Sequence, residues 1–138
     1  MSKSDPSDYS RIMLTDTAEN IVQKIRKAKT DAEPLPENKD QLDGRPEAEN
    51  LISIFASLQN SSIENVISEY AGKEFSDFKK DLVDLSVSKL GPITAEMNKL
   101  MTDTSYIDSV LNDGKDRAIN VAEPVLRKTK EIFGFLSW

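Results

Sequence analysis

From Pro46 to Trp138 the apolar residues recur at spacings of three and four, and this pattern restricts the chain to a mainly α-helical fold. Pro46 suits a first helical position, and Leu51, Ile52, Phe55 and Leu58 share one face behind it. Ser61 and Glu64 have capping-box spacing, Ile63, Val66, Ile67 and Tyr70 form the next stripe, and Gly72 follows as the residue that ends it. A long helix is expected from Glu74 to Met101, with Phe75, Phe78, Leu82, Leu85, Ile93, Met97 and Leu100 inward. Gly91-Pro92 should kink or break it, because proline removes an intrahelical hydrogen bond. A short helix over Asp103–Asn112, with Ile107, Val110 and Leu111 inside, should close at Gly114. The last helix, Lys115 to Phe133, should bury Ala118, Val121, Ala122, Val125 and Ile132 and bend at Pro124. Trp138, with Phe133, Phe135 and Leu136, either plugs the end of the bundle or frays from it. The expected architecture is an antiparallel helical bundle, with no internal repeat and no sustained heptad.

The chain before Pro46 reads differently. Residues 1–10 look like a mobile loop, and Arg11 to Thr15 alternate enough for a short strand that would need a neighbour. A helix is expected to start near Asp16, with Glu19 at capping-box spacing and Ala18, Ile21, Val22 and Ile25 on one face. Asp31 to Arg45, with Pro34, Pro36, Gly44 and many acids, has the composition of an exposed linker or an ordered loop.

Composition narrows the function classes. With no cysteine and no histidine, the chain has no disulfide, no thiol nucleophile and only scattered carboxylates as metal ligands. It has neither an 18-residue apolar run nor a signal peptide, which points away from a membrane and towards the cytoplasm. The net charge of −6 is concentrated in residues 31–50, where seven acids face Lys39 and Arg45. Residues 1–29 carry six bases against four acids, and residues 115–138 five against three. Binding of a polyanion follows local field, so the balance permits a nucleic-acid partner without arguing for one. The carboxylates Asp77, Asp81 and Asp84, like Asp103 and Asp108, fall at helical surface or cap spacings and read as structural.

The opening Met1-Ser2-Lys3-Ser4-Asp5-Pro6 has the makings of a phosphate-handling loop: one ammonium, two hydroxyls, no bulky side chain and a stiff exit. On composition alone the same string is an inert tail. Its continuation, through Arg11-Ile12-Met13-Leu14-Thr15-Asp16 and the basic run Lys24 to Lys29 to Thr30-Asp31, resembles the class I tryptophanyl-tRNA synthetases. Their second signature, KMSKS, is typically followed by Asp-Pro. The likeness runs on through Glu49 to Phe55, Tyr70-Ala71-Gly72-Lys73, Phe78 to Leu82, Gly91-Pro92-Ile93 and Val110 to Gly114, as far as Arg127-Lys128.

The resemblance implies a division into residues 1–30 as the end of a Rossmann catalytic domain (a strand–helix remnant with the MSKS loop), 31–45 as an acidic linker, and 46–138 as a helical anticodon-binding domain. It implies Lys3 as the catalytic lysine that approaches the ATP phosphates, with Met1, Ser2 and Ser4 completing the ATP-binding loop. The family's histidine-bearing first signature and the first lysine of KMSKS are absent, so the chain is expected to be the C-terminal portion of a synthetase starting at an internal Met, and inactive alone. The parent would use ATP with Mg2+, join tryptophan to tRNA(Trp) and act as a homodimer. ATP and tryptophan would be bound through the missing N-terminal half, with no cofactor held by this portion. The family's helical domain receives the anticodon stem and loop, which implies tRNA contacts among Lys115, Arg117, Asn120, Arg127 and Lys128, although solvent exposure explains these bases as well. The run Lys24, Arg26, Lys27 and Lys29 has two readings: cations favoured at a helix C-terminus, or a patch that faces tRNA phosphate or steadies the loop. The alternative for the whole chain is a free-standing helical RNA-binding or adaptor module without catalysis.

Overall fold

The computed structural model describes residues 6–135, so Met1, Ser2, Lys3, Ser4 and Trp138 lie outside the described residues. Five α-helices follow in order: α1 Ala18–Lys27, α2 Pro46–Gln59, α3 Ile63–Tyr70, α4 Phe75–Thr102 and α5 Thr104–Phe133. Short 3-10 turns at Asp8–Ser10 and Lys39–Leu42 precede α1 and α2. The chain divides into two compact units, one up to Met97 and one from Asn98.

Side-chain caps open α1 and α3. The Thr17 hydroxyl accepts from the Asn20 N–H and opens α1. The Ser62 hydroxyl accepts from the Asn65 N–H and opens α3, one residue beyond the cap expected at Ser61. α2 begins on Pro46 and ends on Asn60, whose left-handed backbone (φ 58°) stops the helix. Gly72, at φ 69°, turns the chain after α3.

One core holds the first unit together. Ile21 and Ile25 of α1, Leu51, Ile52 and Phe55 of α2, Val66, Ile67 and Tyr70 of α3, and Phe78 and Leu82 of α4 are all buried in it. Phe55, Tyr70 and Phe78 meet with ring centroids 5.0–5.2 Å apart. Each such side chain contributes roughly 1.5–3 kcal/mol by leaving water. The buried end of Tyr70 is satisfied, since its hydroxyl donates to Asp81 Oδ2 at 2.9 Å. The acidic segment is an ordered loop. Leu35 is buried, its N–H donates to Lys73 O at 2.9 Å, and its carbonyl accepts from the Gly72 N–H at 3.1 Å.

Several expectations are corrected. Residues 11–15 form no strand, and no strand occurs among the described residues. A strand needs a neighbour for its backbone groups, and here the chain turns instead, with the Asp16 N–H donating to Met13 O at 3.0 Å. α1 starts at Ala18 and is capped by Thr17, not by Asp16, whose carboxylate is committed elsewhere. α4 passes through Gly91-Pro92 without interruption, because one lost hydrogen bond is carried by the turns on either side. The two helices expected around Gly114 are the single α5, which also contains Pro124 and ends at Gly134 (φ 70°). Gly114 does not take a positive φ, so nothing in its backbone stops the helix. α5 has no buried residue: Val110, Leu111, Ala118, Val121, Ala122, Val125 and Ile132 are exposed and Ile107 is half-buried. Ile93 of α4 is also exposed, whereas Met97 and Leu100 are half-buried.

Candidate nucleic-acid interface

The basic run at the end of α1 separates into distinct environments. Lys24 sits on the inward face with Ile21 and Ile25, and its ammonium pairs with Asp16 Oδ2 at 2.5 Å; both side chains are buried. The Lys27 ammonium lies 4.3 Å above the centre of the Tyr9 ring. Lys29 pairs with Glu47 at 2.8 Å, and that hydrogen bond raises the Lys29 pKa and lowers that of Glu47. Arg26 makes no ion pair among the described residues and stays exposed.

Arg26 faces a cleft of about 660 Å³ between the end of α1 and the start of α4. Thr30, Phe75, Ser76, Lys79, Lys80, Val83 and Asp84 complete its lining. Lys79 is partly spent inside the protein, since its ammonium donates to Ala28 O at 2.6 Å and Arg26 O at 3.4 Å. It thereby caps the carbonyl end of α1, where a cation also meets the negative end of the helix dipole. Burial pushes the Lys79 pKa down. Lys80 is exposed and bonds Asp77 at 2.8 Å, a contact that raises its pKa. Three cations therefore line the cleft with two hydroxyls and one opposing carboxylate, Asp84. The arrangement suits a phosphodiester: guanidinium for two-pronged contact, ammonium as a point charge, hydroxyls as neutral donors.

Of the residues singled out by sequence, Arg26 lines this cleft, while the α5 group belongs to the second unit. Lys115 contacts Asn112 at 3.3 Å and Asp116 at 3.6 Å, and Arg117 pairs with Asp113 at 2.9 Å. At about 100° per residue, Arg117, Asn120, Arg127 and Lys128 fall within an arc of roughly 100° on α5. Lys115 lies about 160° from Arg117 by the same count. Lys79, Lys80, Thr30 and Ser76 line the cleft although the sequence does not mark them. The available signal was the adjacent pair Lys79-Lys80, one turn beyond Phe75 near the start of a helix. Among the described residues no cluster of acids is placed to hold a metal ion, and no helix is long and apolar enough to cross a membrane.

Comparison with known proteins defines the class. The profile of the class I tRNA synthetases (W and Y) matches residues 1–90, and the chain belongs to that family. Among curated relatives, the tryptophan–tRNA ligase of Rhizobium meliloti is 55% identical over 136 residues, which is 99% of this chain and 38% of that protein. The tryptophan–tRNA ligases of Brucella melitensis and Rickettsia felis are 52% and 41% identical, again over 99% of this chain and over 38% and 41% of theirs. The crystal structure of tryptophanyl-tRNA synthetase from Mycoplasma pneumoniae superposes with a TM-score of 0.72 at 25% identity, covering 99% of this chain and 42% of that one. The chain thus spans about two fifths of the length of the proteins it matches.

Proposed function

We propose that this chain is the tRNA-facing part of a tryptophan–tRNA ligase, which activates tryptophan with ATP and transfers it to tRNA(Trp). The observation that carries the reading is the cleft of Arg26, Lys79 and Lys80, a cationic concavity on a chain of net charge −6 in the family of these enzymes. Residues 1–30 end the catalytic domain, 31–45 connect, and 46–138 supply the helices that take the anticodon arm. The α5 strip of Arg117, Asn120, Arg127 and Lys128 offers the RNA a second positive surface.

Lys3 serves catalysis in this reading. Its ammonium offsets the negative charge that develops on the transferring phosphoryl group and on pyrophosphate as tryptophan attacks the α-phosphorus, with Met1, Ser2 and Ser4 as further ATP-binding residues. The parent works with Mg2+, and no acid cluster among the described residues suits a metal. The parent is a homodimer.

Binding of tryptophan-specific tRNA to this chain, measured by fluorescence over a salt series with a non-cognate tRNA as control, tests the reading. Each phosphate contact contributes about 0.7–0.9 to the slope of log K against log salt. Arg26→Gln with Lys80→Gln should flatten that slope by about 1.5. An unchanged slope removes the cleft from the interface, and equal binding of both tRNAs removes the tRNA(Trp) assignment. The isolated chain should show no ATP–pyrophosphate exchange.

A further inference from the structure

Lys24 and Lys27 stand one turn apart on α1, and each is committed to the segment that leads into it, residues 7–16. Asp16 Oδ2 accepts both the Lys24 ammonium at 2.5 Å and the Met13 N–H at 2.8 Å, while the Asp16 N–H returns to Met13 O at 3.0 Å. The turn from Met13 to Asp16 is therefore closed in both directions and tied to the helix. Further back, the Ser7 oxygen accepts from the Tyr9 N–H at 3.3 Å, Arg11 bonds Asp8, and the Tyr9 ring lies under Lys27. Ile12 packs against the core between the two ties. A buried ion pair is often no more stabilising than an apolar pair of the same size. What it adds here is direction: a charged acceptor that fixes one backbone N–H.

We propose that Lys24 with Asp16, and Lys27 with Tyr9, are positioning residues that hold residues 7–16 on α1 and so set where Lys3 meets the ATP phosphates. The inference rests on the ligase reading above. Misplacement by about 1 Å of a group that acts on developing charge can lower a rate as much as 100-fold.

The test uses the complete ligase of which we propose this chain is part, with three variants assayed for ATP–pyrophosphate exchange, tryptophan KM and melting temperature. Lys3→Ala tests the ligase reading itself. Asp16→Leu with Lys24→Met keeps the site apolar and filled but removes the acceptor for the Met13 N–H. Tyr9→Leu removes the cation–π tie at a position that is 47% exposed, where folding is not at stake, and it carries the test alone if the double variant does not fold. The expected result is a fall in kcat of about tenfold in both positioning variants, with tryptophan KM unchanged in both and melting temperature unchanged in Tyr9→Leu, and recovery of the rate in Tyr9→Phe, which keeps the ring face. Wild-type kcat in the folded positioning variants, with Lys3→Ala impaired, overturns the positioning role and leaves the ligase reading standing. Wild-type exchange by Lys3→Ala overturns both.

Discussion

Arg45 holds the acidic loop with four hydrogen bonds: two to the Asp31 carboxylate at 2.9 and 2.6 Å, one to Pro34 O at 2.8 Å and one to Glu33 O at 3.3 Å. The Arg45 hydrogen bond holds the Asp31 carboxyl below its ordinary pKa, against the opposing effect of burial. A carboxyl lowered on folding stabilises the native state above its unfolded pKa and loses that contribution as pH falls through the folded one. Arg45→Ala should therefore destabilise the chain by about 2 kcal/mol at neutral pH, with the difference from wild type shrinking as pH falls below the ordinary aspartate range. Denaturant unfolding at neutral and acid pH measures both. Phe78, fully buried and in contact with Phe55 and Tyr70, is the apolar counterpart. Phe78→Ala should cost about 3–5 kcal/mol in the same assay, because the rings around it cannot collapse into the space.

At the scale of elements, the helices are legible from apolar spacing, whereas their ends are not. Thr17 rather than Asp16 caps α1 because the Asp16 carboxylate is drawn off by Lys24, eight residues away in sequence. Ser62 rather than Ser61 caps α3, a choice between adjacent hydroxyls that spacing alone leaves open. Gly114 and Pro92 read as stops, yet each is a local penalty spread over a helix of 30 or 28 residues. Since a methyl group at Gly114 would meet nothing within 4 Å and φ is not positive there, Gly114→Ala should raise α5 stability by about 0.5–1 kcal/mol. Slower hydrogen exchange at the amides flanking residue 114 is the expected readout.

At the scale of the whole molecule, the apolar stripe of α5 shows how far pattern and burial can part. Val121, Val125 and Ile132 keep the spacing of a core face but are 75%, 66% and 73% exposed. Replacing all three with lysine should leave the chain's melting temperature nearly unchanged, since exposed substitutions usually alter stability by no more than about 0.5 kcal/mol each. A large drop on thermal unfolding would show that the face is covered in solution. The opposite parting occurs in α1, where Lys24, a residue type that belongs on a surface, lies within the core face because its charge has a partner there. Family membership and the helical character both came from the residues themselves, because periodicity and a signature such as Met-Ser-Lys-Ser-Asp-Pro are local properties of the chain. The division of the basic run among Asp16, the Tyr9 ring, Glu47 and an open cleft came from tertiary structure alone. Each of those neighbours lies outside the run, and where a lysine's charge is used depends on which distant group the fold brings to it.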